Sequence, residues 1–156
     1  MTGQLEDTYV AALQHDMADL PAGVTLVGVV RRPTPWFYAA VDENVPALAP
    51  PADLLDEGKR HHEQLAATGL DDAEAHNRAF EAADYESRYR DHLETAEAQG
   101  AVADLLDRLA DGEDLALVCY ENTETKRCHR TILASYLRER MDSGHGRDGG
   151  EGRREP

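Results

Sequence analysis

Residues 115–140, LALVCYENTETKRCHRTILASYLRER, decide the fold. Leu115 to Cys119 is an apolar run of strand length, a polar turn follows, and Cys128-His129-Arg130 opens an amphipathic segment reaching Arg140. That order is strand, loop, helix. Where a strand's carboxyl end faces a helix amino end, the first helical amides lack partners, and open α/β sheets place their ligands there. The stretch therefore predicts an α/β fold and the location of a site, but no reaction.

A second strand lies upstream. Val24 to Val30 (VTLVGVV) is a continuous β-branched run of the kind that a buried strand needs, and Arg31-Arg32-Pro33 ends it because Pro33 cannot donate to a ladder. Asp7 to Leu20 is ambiguous. Tyr9, Ala12, Leu13 and Met17 repeat at helical spacing and favour a helix, whereas Thr8-Tyr9-Val10 also fits a strand before a short helix. Thr34 to Pro51 holds Trp36, Phe37 and Tyr38 with Pro35, Pro46, Pro50 and Pro51, and reads as a long loop forming a lid or pocket wall; aromatics plugging the sheet edge are the alternative. Helical periodicity then runs from Asp53 to Thr68 with a stop at Gly69, and from Asp71 to Gln99 with a break near Ala82–Asp84 and a stop at Gly100. It resumes over Ala101–Ala110, before Gly112.

The expected architecture is a single α/β domain over residues 1–141. Its small, mostly parallel sheet has two clear strands, three or more in all, flanked by helices. Residues 142–156, glycine-rich and almost without apolar side chains, are expected to form a disordered tail.

Composition narrows the partners. The 156 residues carry a net charge of −15, and Lys59 and Lys126 are the only lysines, with arginine supplying the remaining basic groups. An acidic surface nearly devoid of lysine suits concentrated salt, where charges are screened within a few ångströms, so a halophilic protein is expected, with an ordinary acidic one as the alternative. Such a chain repels nucleic acid overall, although a local basic patch remains compatible with it. No apolar run approaches the roughly 20 residues of a membrane span, and MTGQLEDTYVAAL lacks the basic and hydrophobic regions of a signal peptide. A cytoplasmic location with both cysteines reduced is expected.

Cys128 is the candidate nucleophile. At a helix start flanked by Arg127, His129 and Arg130, the dipole and adjacent positive charge favour its thiolate. The competing reading has Cys128 only packing while Arg130 and free amides bind an anion. Cys119, inside the strand, reads as a core residue or as a resolving thiol for Cys128. The spacing of Cys119, Cys128 and His129 fits no standard zinc pattern, and His61, His62, His76 and His92 lie on charged helices, so neither a metal nor another cofactor is expected. Glu121 and Arg31 end the two strands; in a parallel sheet they face one crevice, either to position a substrate or as an ion pair at the rim. Tyr85 and Tyr89, one turn apart, form a core face or send their hydroxyls to that crevice.

Leu117-Val118-Cys119-Tyr120-Glu121 followed by Cys128-His129-Arg130 resembles the paired signature of the domain-of-unknown-function family numbered 488. Asp7-Thr8-Tyr9-Val10-Ala11, Arg31 with Pro33, Leu48-Ala49-Pro50, Lys59, and Tyr85 with Tyr89 are similar to further pieces of it, and the likeness spans residues 7 to about 140. It implies an α/β domain with a small sheet, a strand near Thr8, and a site beside the Cys-His-Arg tripeptide. It carries no established reaction. The chain departs from the family at Lys126-Arg127, where the resemblance leads one to expect an acidic or aromatic residue, and this bears on ligand preference.

The assembled expectation is a crevice for an anionic small molecule or a phosphate-bearing group. In it Cys128 is nucleophile or redox thiol, His129 proton carrier and Glu121 orienting base, with Arg31 and Arg130 as anion clamps and Lys59, Tyr89 and Trp36 around the ligand. Whether the protein is an enzyme stays open, the alternative being a non-catalytic module that binds a nucleotide, a nucleic acid or a protein.

Overall fold

The computed structural model describes residues 2–121 and 125–150. Four parallel strands form one sheet in the order β1-β4-β2-β3, with β1 at Leu5–Tyr9, β2 at Thr25–Gly28, β3 at Glu43–Asn44 and β4 at Leu115–Cys119. The last strand in sequence therefore lies between the first two, pairing Leu5 with Leu115 on one side and Thr25 with Leu115 on the other. All five residues of β4 are buried, as its unbroken apolar composition requires of a central parallel strand.

Among the described residues seven helices surround the sheet: α1 (Val10–Gln14), α2 (Pro35–Ala40), α3 (Ala52–Ala66), α4 (Asp72–Ala82), α5 (Tyr85–Leu93), α6 (Ala96–Ala110) and α7 (His129–Gly150). The larger core joins Leu115, Leu117 and Val27 of the sheet to Leu54, Tyr89, Leu105, Leu109, Leu133 and Leu137. A smaller core joins Val10, Val30, Phe37 and Val118 to Cys119 and Cys128.

Several boundaries differ from the sequence reading. The helical spacing over Asp7–Leu20 gives way to β1 followed by the short α1, because residues 5–9 gain a whole ladder against β4. Thr34–Pro51 is not a structureless loop. Thr34 accepts a hydrogen bond from the Phe37 N–H and Pro35 occupies the first turn, which starts α2, and β3 and a 3-10 turn at Pro46–Leu48 follow. Gly100 does not end a helix: Thr95 caps a new one through the Ala98 N–H, and α6 runs through Gly100, where an interior glycine costs only about 1 kcal/mol. The break near Ala82–Asp84 is present, with Asp84 left-handed at φ 53° between α4 and α5. Helix α7 reaches Gly150, overlapping the start of the tail expected from residue 142; residues 151–156 lie outside the described residues.

The polypeptide beyond β2 is held by an unusual splint. Asn44 accepts from the Val30 N–H at 3.1 Å and donates to the Val30 carbonyl at 2.9 Å, so its amide stands in for a strand neighbour. Gly28 leaves room for this: a Cβ there would lie 2.6 Å from Asn44 Oδ1 and from Phe37 Cε1. Val30 and Arg31 consequently project from the carboxyl edge of the sheet beside the end of β4.

Candidate functional site

Because every strand is parallel, β2 and β4 end on the same edge. The chain leaves β2 toward β3 but leaves β4 toward α7, which packs on β1, so connections diverge between these two neighbours. Such a divergence opens a crevice. Here it is a cleft of about 340 Å³ lined by Val30, Arg31, Arg32, Pro50, Leu55, Lys59, His76, Phe80, Tyr85, Cys119, Tyr120, Glu121, Arg127, Cys128 and His129.

Helix α4 sets the approach to Cys128. Asn77 accepts from the Arg127 N–H at 2.8 Å and donates to the Thr125 carbonyl at 3.0 Å, while His76 Nε2 donates to the Arg127 carbonyl at 2.7 Å. The Arg127 guanidinium lies over the Phe80 ring, 4.3 Å from its centroid. These contacts deliver Cys128 to the head of α7 with its sulfur 3.0 Å from that of Cys119 and 3.4 Å from His129 Nδ1.

The protonation pattern follows from this geometry. The Cys128 thiol is held below its ordinary value, first by the hydrogen bond from Cys119 and further by the Arg130 backbone N–H and charge, against the opposing effects of burial and of Glu121. Burial and the same sulfur pair push the Cys119 thiol well up. His129 is driven toward neutrality by burial. Its Nε2 hydrogen is committed to the Val29 carbonyl, which leaves Nδ1 as an acceptor facing Cys128.

The predicted site residues fall into two groups. Arg31, Lys59, Glu121, Cys128 and His129 share the cleft. Arg31 is engaged with the carbonyls of Pro50, at 2.7 Å, and of Pro46 and Ala49, and so anchors the wall that Pro50 contributes. Arg31 and Glu121 do not pair; the Glu121 carboxylate is 3.9 Å from His76 Nδ1. The remaining three lie elsewhere. Arg130, 2% exposed, sits behind the sulfurs, pairing with Asp7 at 3.0 Å and donating to the carbonyls of Thr8 and Glu121. Tyr89 is fully buried with its hydroxyl on the Leu48 carbonyl, and it is Tyr85, stacked on Phe80 at 4.1 Å, that reaches the cleft. Trp36, 47% exposed, meets Tyr120 edge-on and lines a separate hollow with Leu13 and Leu26.

His76, Arg127, Tyr120 and Arg32 complete the cleft without having been assigned to it from sequence. A basic residue directly before Cys128 was a signal for Arg127; nothing in the local pattern marks His76, since its role depends on α4 lying against the 125–127 segment. Among the described residues no group of three or more His, Cys, Asp and Glu side chains is arranged to hold a metal ion, and no helix is long and apolar enough to cross a membrane.

A family model, DUF488-N3a, described as the active DUF488-N3 subclade, matches residues 9–141, a span that takes in the whole cleft. No curated protein and no solved structure matches the chain.

Proposed function

The chain belongs to the DUF488-N3a family, described as an active subclade, and from that premise we propose that the cleft binds an anionic small molecule, such as a phosphate-bearing metabolite, and presents it to Cys128. One observation carries this reading. In a chain of net charge −15, Arg31, Arg32, Lys59 and Arg127 converge on one cleft in which, among the described residues, Glu121 supplies the only carboxylate. Among the described residues, Lys59 has no ion-pair partner, whereas Arg32 and Arg127 rest against Asp56 and Glu81. A lysine left uncommitted in the cleft that Cys128 also lines can receive an anion as a point charge.

The chemistry is nucleophilic. Cys128 gives its proton to His129 Nδ1, the thiolate is held by the Arg130 N–H, and attack on an electrophilic centre of the bound anion forms a covalent intermediate. Tyr85 and His76 are placed to position the ligand.

The test is a thermal-shift titration in high salt with inorganic phosphate and a panel of nucleotides and sugar phosphates, on wild type and Lys59→Ala. We expect stabilisation of the wild type and a roughly tenfold weaker apparent affinity in the variant; no stabilisation by any anion overturns the reading. A non-catalytic binding module is the second reading, favoured by the small exposure of Cys128, 6%. Cys128→Ser separates the two, because a module keeps ligand stabilisation without turnover in either form.

A further inference from the structure

Cys119 and Cys128 end up adjacent although nine positions apart: one closes the central strand, the other precedes the first turn of α7. Their sulfurs, both free, are 3.0 Å apart, about 1 Å from the bonded distance of a disulfide. Both border the cleft, with Cys128 the more exposed of the two. The two are not equivalent. Cys128 faces His129 Nδ1 and a helix-start amide, while Cys119 lies behind it against the Arg130 guanidinium at 3.3 Å. Packing alone accounts for one small buried thiol in each place, but it gives no reason for an asymmetric pair at this distance opening onto a cavity.

We propose that Cys128 and Cys119 form a redox-active dithiol that reduces a hydroperoxide, with Cys128 as the attacking sulfur and Cys119 as the resolving one. The inference shares Cys128 with the proposed function but requires no anionic ligand. In the first step the Cys128 thiolate attacks one peroxide oxygen. The S–O bond forms, the O–O bond breaks, and the leaving oxygen takes the proton that His129 Nδ1 received from Cys128, departing as water or an alcohol. Sulfur is oxidised to a sulfenic acid and the peroxide is reduced. In the second step Cys119 sulfur attacks Cys128 Sγ; the S–S bond forms, the S–O bond breaks, and the expelled hydroxide takes the Cys119 proton and leaves as water. An external dithiol returns both sulfurs to thiols by exchange through a mixed disulfide on Cys128. The asymmetry suits these roles, since Cys128, facing His129 Nδ1 and the Arg130 N–H, is held lower than Cys119, and the resolving sulfur needs only proximity.

The protein supplies its own readout. Lys126 and Arg127 lie between the cysteines, so tryptic cleavage places Cys119 in the peptide ending at Lys126 and Cys128 in the tripeptide Cys128-His129-Arg130. The full-length chain is treated with one equivalent of hydrogen peroxide, digested without reductant and analysed by mass spectrometry. We expect the two peptides joined by a disulfide, both free thiols lost together, and full recovery with dithiothreitol. Cys119→Ser, confirmed folded by circular dichroism, is expected to stop at a dimedone-reactive sulfenic acid on Cys128, and Cys128→Ser to leave Cys119 unmodified. Separate peptides from oxidised wild type, with sulfenic or sulfinic acid on Cys128, overturn the inference, as does oxidation no faster than that of free cysteine. Phosphate-induced stabilisation that persists in the presence of such a failure leaves the anion site standing. Disulfide formation without any anion-induced stabilisation does the reverse.

Discussion

The sulfur of Cys128 meets three influences that favour its anion, namely the Cys119 thiol, the Arg130 N–H and the Arg130 charge, and two that oppose it, burial and Glu121. Alkylation reads the balance directly, because only the thiolate reacts and its fraction grows as pH rises through the pKa. A lowered pKa displaces the rate profile of Cys128 toward acid, so the midpoint is expected below the value of about 8.5 for free cysteine. Cys119→Ala removes the largest favourable influence. The midpoint should then move to higher pH, with a slower rate at pH 7 and a similar plateau at high pH; iodoacetamide labelling followed from pH 6 to pH 10 checks both statements, and coincident profiles refute them. At this scale the sequence announced Cys128 and His129 through a tripeptide at a helix start. It gave no sign that Arg130 would turn inward, because that depends on Asp7 and Thr8 standing across β4, more than a hundred residues away in the chain.

Among the elements, Arg130 is the tie that joins β1, β4 and α7: one guanidinium meets the Asp7 carboxylate and the carbonyls of Thr8 and Glu121. Replacing it with alanine strands two carbonyls at the junction and leaves the partly exposed Asp7 carboxylate with Arg138, at 4.0 Å; a stranded buried polar group costs about 1–3 kcal/mol. Arg130→Ala should therefore lower the denaturation midpoint in urea by at least that equivalent, whether or not ligand is present; a change below about 1 kcal/mol would return Arg130 to a role in ligand contact. Elements with strongly patterned sequences, such as β4, β2 and α3, were legible, whereas α6 was divided at Gly100 because an interior glycine reads as a stop. Those made by pairing were not. The helical spacing of Tyr9, Ala12 and Leu13 competes with a strand that forms only against β4. The two-residue β3 has no pattern of its own and exists through its register with Val27 and Gly28.

For the molecule as a whole, charge is the dominant fact. At net −15 the folded chain repels itself, and salt relieves this as the screening length falls from about 10 Å at 0.1 M to about 3 Å at 1 M. Raising potassium chloride across that range is expected to raise Tm by at least about 5 °C; a flat or falling Tm would argue against adaptation to concentrated salt. The sequence by itself determined an α/β fold, the family and the sheet edge at which the cleft opens, because these rest on local apolar runs, a helix start and a short motif. Only the tertiary structure decided which residues meet there. Inserting β4 between β1 and β2 brings Cys119 against Cys128, carries Arg31, Lys59, Tyr85 and His76 to one cleft, and sends Arg130, Tyr89 and Trp36 elsewhere. Strand order is a property of long-range pairing, and no periodicity within a segment encodes which segment will become its neighbour.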